Sequence, residues 1–539
     1  MIKDNISVAC HRAFVPSPSY SIALISGLCV AGQSCKKDFP TLNLLINFHD
    51  SLRNICKKAK IGHNSVRPHM QRESAVILLE LNELCPHLLQ KWMSSGDLPN
   101  FKRFYDSSTT FITKPDVDDP KYLEPWIQWY SLHTGLPYSA HDVFNLTDGP
   151  RASHDDIWRL LYQSGKRVMS CGSMNARRFE GDGNIFIADP WCKDQDAWPK
   201  ELNTYQNFIA QNVQEHSNAN GNSQGALGFM SFMAGHGLRL KSASKLTKQI
   251  LDEKTKDRRL SYKRVAQLDA LQFDVFRHYY RKTRPAFATF FSNSVAHLQH
   301  SFWRHMEPEV FSAKPASEEQ LFYRDAIKFG YQAIDQIIGE FLDEFGDEAT
   351  LIFASALSQQ PFTKYDAQGG QYFYRPRNIR ALLHKFGIDF EHVEPVMTHQ
   401  YMLHCKDKAS ADAAQQTLSN CRAENKSVFD IRRENDTSMY FGSQLSTKVG
   451  ADAVLGGPDG FFEDFHTHFY LIEQNKSGCH HPDGCLWIRT GAASHHENER
   501  VSILDIAPTV LDLLGEDQAI PSKWQGRSLK EQLTPQIAP

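Results

Sequence analysis

The chain has no apolar run of the ~18 residues that a membrane-crossing helix needs. It has no Cys-x-x-Cys pair, no internal repeat and no low-complexity tract. It carries little net charge, −3 over 539 residues with histidine neutral. Each absence excludes a class. Without a long apolar run, no membrane span is expected. Eleven scattered cysteines, odd in number and without a spacing pattern, do not make a disulfide scaffold or a thiolate zinc site. Reduced thiols and a cytoplasmic location are the expectation. A near-neutral balance advertises no nucleic-acid surface.

What is present is the composition of a globular protein, 41% hydrophobic and 22% charged. There are also 24 histidines, a supply that permits metal or acid–base chemistry. The length allows several structural units or one large α/β domain with an insertion. Residues 1–69 are read as a leader outside the fold. "YSIALISGLCVAG" (20–32) could alternatively serve as the apolar segment of a signal peptide, and the protein would then be exported.

From residue 70 the chain alternates. "SAVILLELNEL" (74–84) is a continuous apolar run that ends in polar residues, as a buried parallel strand does where it emerges into a site. "PAFATFF" and "ATLIFAS" repeat that pattern. Amphipathic helical stretches separate the runs, for example "DAIKFGYQAIDQIIGEFLDEFGD" (325–347). The expected fold is α/β: a mostly parallel central sheet flanked by helices on both faces, with a small α+β insertion. Its parts are a core over 70–389 with a helical excursion at about 200–285, an insertion at 390–445, and a return to the core over 446–539.

Several stretches carry a resemblance. "RVSILDIAPTVLDLLG" (500–515) with "GRSL" (526–529) looks like the C-terminal segment of the alkaline phosphatase superfamily, in its type I phosphodiesterase/nucleotide pyrophosphatase branch. "SLHTGLPYSAHDVF" (131–144) is similar to the family's Thr-Gly…Pro…His-Gly stretch, with Asp142 where glycine is usual. "FFSNSVAHLQHSFWRHMEP" (290–308) resembles its Asp-Arg-x-Gln-His-x-x-Trp stretch, and "GCHHPDG" (478–484) its Gly-x-His-x-Pro-Asp-Gly. The resemblance implies an alkaline phosphatase-like fold and phosphate- or sulfate-ester chemistry at two clamped metals. It also implies a Thr or Ser nucleophile and an Asp/His ligand set.

Most of that set is replaced. The first ligand position holds Asn82, the nucleophile position Pro125, and the Asp of Asp-x-x-x-His is Ala296. The Asp-His of the third strand reads Ala356-Leu357, while His300 and His480 remain. The usual dinuclear site cannot be built from these residues.

A different one can. His297 and His300 are three apart, which on a helix places both on one side, and His480 would complete three imidazoles for one divalent ion, zinc or manganese. Glu83, Glu124 and Asn82 are the candidate catalytic residues around it. Trp126, Gln128, Asn293 and Gln359 are the candidate substrate contacts. The expected activity is hydrolysis of a small phosphate or sulfate ester at a rebuilt, at most mononuclear site. The alternative is a non-catalytic protein that binds such a ligand on the same fold.

Overall fold

The structure is a computed structural model that describes residues 75–533 apart from residue 193, 215–222, 369, 398, 473–475 and 492–493. The leader, and the segment at 20–32, lie outside the described residues. No helix among the described residues is long and apolar enough to cross a membrane.

The sheet begins with β1 (Val76–Leu81), whose six residues are all buried. β1 cannot alternate polar with apolar because helices cover both of its faces. Ile77, Leu79 and Leu81 enter one apolar core, and Val76 and Leu78 enter the other. The other strands that build the core are β2 (Thr109–Lys114), β3 (Val168–Cys171), β4 (Ile185–Ile187), β5 (Phe287–Ser292), β6 (Thr350–Ser355) and four later ones. Among these, β7 (Ser358–Pro361) and β8 (Gly478–His481) form a separate antiparallel pair at the end of the sheet. β9 (Gly484–Arg489) and β10 (His496–Ser502) complete the eight-stranded sheet, in the order β10-β2-β9-β6-β1-β5-β3-β4. Only β9 runs against its neighbours β2 and β6; the other pairings are parallel.

One face is covered by α1 (Pro86–Ser94), α2 (Pro99–Asp106), and the long helices that follow the excursion. The other carries α3 (Pro125–Thr134), α4 (Ile157–Gln163) and a C-terminal helix. On the first face lie α5 (Arg264–Thr283), α6 (Ser294–Met306) and α7 (Ala326–Phe345); the C-terminal helix is α8 (Ile506–Leu513). α3 starts on Pro125, whose missing N–H is no loss in a first turn, and stops on Gly135 in the left-handed region at φ 57°.

A third apolar core runs from Tyr374 to Phe469, reaching past 390–445 at both ends. It belongs to a four-stranded antiparallel sheet (Phe429–Arg433, Ser438–Ser443, Gln400–His404, His392–Met397) with the helix Lys408–Asn420. This unit grips the core through Arg432. Its guanidinium lies 4.9 Å from the Phe144 ring and 4.8 Å from the Tyr440 ring, and donates to Asn145 Oδ1 at 2.7 Å.

A candidate metal centre at the carboxyl end of the sheet

β1 and β5 are hydrogen-bonded neighbours, and the Asn82 N–H extends the ladder by donating to the Ser292 carbonyl at 2.9 Å. The chain then turns sharply. Glu83 takes a left-handed conformation, φ 61°, which costs a side chain with a Cβ about 1–2 kcal/mol. The turn is held from below. The Glu83 carbonyl accepts from Gln299 Nε2 at 2.8 Å. Gln299 Oε1 in turn accepts from the Tyr331 hydroxyl at 2.9 Å and the Cys85 thiol at 3.2 Å. The turn aims the Glu83 side chain at α6 and β8.

The Glu83 carboxyl is fully engaged. Oε1 accepts from Asn82 Nδ2 at 2.9 Å, and Oε2 accepts from Gln359 Nε2. His300 Nε2 is 3.2 Å from Oε2, and His480 Nε2 is 3.7 Å from Oε1. Glu83, His300 and His480 each offer a ligand atom, and these atoms lie within 4.8 Å of one another. Among the described residues this is the one His/Cys/Asp/Glu group with that property.

The imidazoles are oriented by their outer nitrogens. His300 Nδ1 lies 2.9 Å from the Gly478 carbonyl and carries a proton there, which leaves Nε2 as the nitrogen turned to the Glu83 carboxylate. His480 Nδ1 lies 3.5 Å from Glu124 Oε2. Ring nitrogens fixed by a carbonyl and a carboxyl are what metal-bound histidines use to set tautomer and direction.

The electrostatics separate the two carboxyls. Burial would push the Glu83 pKa up, but the imidazoles of His300 and His480, with hydrogen bonds from His300 and Gln359, outweigh it and hold the group at about 2. Burial pushes His480 down to about 4, against the pull of the Glu83 carboxylate. With His480 neutral at pH 7, the hydrogen bonds from His300 and Gln359 keep Glu83 ionised. Burial pushes Glu124 the other way, up to about 8; the Glu83 charge adds to this and Lys476 opposes it. Glu124 precedes α3 as its cap residue without a side-chain capping bond, so its carboxyl is left to face the site. One carboxyl is suited to hold a cation and the other to hold a proton.

The other candidates are distributed unevenly. Asn82 Oδ1 accepts from Trp129 Nε1 at 2.8 Å, and its Nδ2 also donates to Asn293 Oδ1 at 2.7 Å. Asn82 and Asn293 therefore brace the turn. Gln359 donates to Glu83 and, at 3.0 Å, to the Ala296 carbonyl; its Oε1 is buried without a partner among the described residues. His297 is outside the ligand group, and Glu83 stands where a third imidazole was expected. A three-residue helical step leaves the two rings offset by about 60° and 4.5 Å along the axis, so sharing a side is not sharing an ion. Trp126 and Gln128 lie one and three residues beyond Pro125, where α3 leads away from the site. The Trp126 indole donates to the Phe144 carbonyl at 2.8 Å, and fully buried Gln128 donates to the Tyr122 carbonyl at 3.3 Å. Ala296, Ala356 and Leu357 are buried apolar residues.

Two participants had no signal of their own in the sequence. Gln299 was visible only as part of a motif. Gly478 is needed because a Cβ there would sit 2.2 Å from Gln359 Oε1 and 2.6 Å from the Gln299 carbonyl. β8 can approach α6 and β7 only with glycine at that point.

No family model and no curated protein matches the chain. Solved structures similar to it include a phosphonoacetate hydrolase from Sinorhizobium meliloti 1021 in complex with phosphonoformate. It is 13% identical, over 83% of this chain and 97% of that one, with a TM-score of 0.39. The alkaline phosphatase PafA is 13% identical, over 86% and 99%, with a TM-score of 0.43. Murine ectonucleotide pyrophosphatase/phosphodiesterase 5, an inactive variant in complex with AMP, is 11% identical, over 82% and 95%, with a TM-score of 0.35. At these values the likeness is carried no further, and what the site can do is read from its own residues.

Proposed function

We propose that the chain hydrolyses small phosphate or sulfate esters at a single divalent-metal site made by Glu83, His300 and His480. One observation carries the reading. The proton-bearing Nδ1 of His300 is committed to the Gly478 carbonyl, so Nε2 is the nitrogen presented to the Glu83 carboxylate, at 3.2 Å. With His480 on the third side, one nitrogen of each imidazole and a carboxylate oxygen lie within 4.8 Å of one another, a group that could hold one cation. Two imidazoles and one carboxylate form a donor set suited to zinc, with manganese the second choice, and leave coordination positions open. Such an ion, when bound, supplies Lewis-acid polarisation of an ester oxygen.

The chain's own residues do the rest. Asn82 and Gln359 hold the Glu83 carboxylate in place. Glu124 keeps a proton at the mouth of the site for a departing oxygen. Pro125 has no nucleophilic atom, so attack comes from water and no covalent intermediate forms at that position.

The test is the metal content of the purified protein, beside His300→Ala and His480→Ala variants and a panel of aryl phosphate, phosphonate and sulfate esters. The expected result is one zinc or manganese per chain, lost in both variants together with turnover. A protein that takes up no stoichiometric metal even on reconstitution refutes the reading.

A second reading, a ligand-holding protein without turnover, is favoured by a specific feature. The positions of the resembling family's third-strand ligands are now Ala356 and Leu357, buried as apolar core. Saturable binding of an ester that is never cut would establish it.

A further inference from the structure

The helix Leu240–Thr255, part of the excursion, is patterned inside out. A helix lying on a globular core turns its large apolar residues inward and its polar ones to solvent. Here the buried residues are Ser242, Ala243, Gln249 and Glu253. The two long ones are satisfied in place. Gln249 Nε2 donates to the Leu260 carbonyl at 2.8 Å, and Glu253 Oε1 accepts from Gln249 Nε2 at 3.0 Å and from Arg264 Nε at 2.9 Å. Of the four leucines and isoleucines of the helix, only Leu246 leans on the core. Leu240, Ile250 and Leu251 are exposed. Eight large apolar side chains are exposed among the described residues, and this one helix carries three of them, so they are not the scattered singles of an ordinary surface.

The surroundings of these side chains are cationic. Residues 239–264 hold ten lysines and arginines against three acids, in a chain whose net charge is −3. Leu240 and Leu251 are eleven residues apart, about three helical turns, and so lie on one line along the outer side. The same rotation places Lys241 and Lys248 on one flank of that line and Lys254 on the other. Lys248 and Lys256 reach Asp252 at 2.6 and 2.9 Å, and Lys241 reaches Glu340 at 3.2 Å. All three lysines are exposed, and surface pairs of that kind hold an ammonium only weakly. Lys254 and Arg258 have no acidic partner among the described residues.

We infer that this helix is a membrane-surface contact: Leu240, Ile250 and Leu251 enter the acyl boundary of an anionic lipid surface while the flanking lysines meet its headgroup phosphates. Lysine stems suit that place, since they lie along apolar surface and keep the ammonium in the polar layer. A second copy of the chain fits the face less well. A two-fold contact would set the cationic patch against itself. A nucleic acid fits less well too, because the exposed line is aliphatic and offers no ring for a base to stack on.

Co-sedimentation of the full chain with vesicles of phosphatidylcholine, alone or with about 30 mol% phosphatidylserine, tests it. The wild type is expected to partition onto the anionic vesicles at least about 10-fold more strongly than onto the neutral ones, and less so as salt is raised. The double variant Leu240→Gln/Leu251→Gln is expected to lose about 10-fold or more of that partitioning with thermal unfolding unchanged. Lys248→Glu/Lys254→Glu is expected to remove the preference for anionic vesicles. Leu251→Trp gives a readout that needs no loss of binding: its added emission is expected to shift to the blue on anionic vesicles. A wild type without preference for anionic vesicles overturns the inference, as does partitioning that survives the leucine variant or an emission that does not move. A wild type that sediments as a dimer, broken by the leucine variant, assigns the face to a second copy and overturns it as well.

Discussion

Two glutamate–histidine pairs sit at the end of the same strand, three residues apart, and they differ in almost everything but composition. Glu80 Oε1 meets His133 Nε2 at 2.8 Å between β1 and α3, with side-chain exposures of 0% and 2%. Glu83 meets His300 at 3.2 Å and His480 at 3.7 Å, and those imidazoles are 30% and 15% exposed. The inner pair is a closed contact: Trp129 and Trp158 pack beside the His133 ring. The outer group has a second imidazole, an opening, and outer nitrogens already assigned to a carbonyl and a carboxyl. Acid and imidazole together do not make a site. What separates the two is a single backbone turn at Glu83 that carries a buried carboxylate out of the sheet to imidazoles that are themselves partly exposed.

Breaking the outer group should cost function and not fold. Glu83→Gln or His480→Ala is expected to lower zinc affinity by at least about 100-fold, read by chelator competition, with thermal unfolding little changed. Breaking the inner pair should do the reverse. Glu80→Leu or His133→Leu leaves a buried polar group without its partner and is expected to destabilise by about 3 kcal/mol or more. Urea denaturation would measure that loss, with metal stoichiometry still one per chain.

A third buried acid sharpens the contrast because no imidazole accompanies it. Burial pushes Asp269 up to about 6, against hydrogen bonds from Ser294 and Ser292. The folded state holds this proton to a higher pH than the unfolded chain, so stability falls as pH rises from about 4 through 6 and stays lower above. Asp269→Asn removes that penalty. The variant should gain up to about 3 kcal/mol on wild type between pH 4 and pH 7, in denaturation curves at the two values. A gain that does not change with pH would contradict it. The smallest effect concerns the outer group's support: Gln359→Met should weaken zinc binding by about 10-fold, leaving the stoichiometry intact.

Much of the scaffold was legible. "VILLEL" is apolar on both faces because helices cover both, and Pro125 and Gly135 bracket α3 as helix punctuation should. The site was legible in its members more than in its roles. His300 and His480 could be placed from motifs, and Glu83 and Gln359 from their positions after strands. That Glu83 is the third candidate ligand rests on a left-handed turn at a residue type with no preference for one, held by Gln299 from a distant helix. Helical spacing nominated His297 because it is a local rule, and a ligand set is not local. Trp126 and Gln128 were nominated by adjacency to Glu124, but helical rotation takes each successive side chain to a new direction.

The span of chain between Glu83 and His480 has a consequence for synthesis. The candidate ligands come from the turn after β1, from α6 and from β8, near the end, with the whole insertion made between the last two. A nascent chain can bury β1 against β5 and β6 long before β8 exists, but it cannot close the ligand set, and joining such distant segments is the slow part of folding. Closure of the candidate ligand set is thereby a late event, reserved for chains that have completed both the core and the insertion. A chain interrupted within the insertion would keep much of its sheet and lack His480.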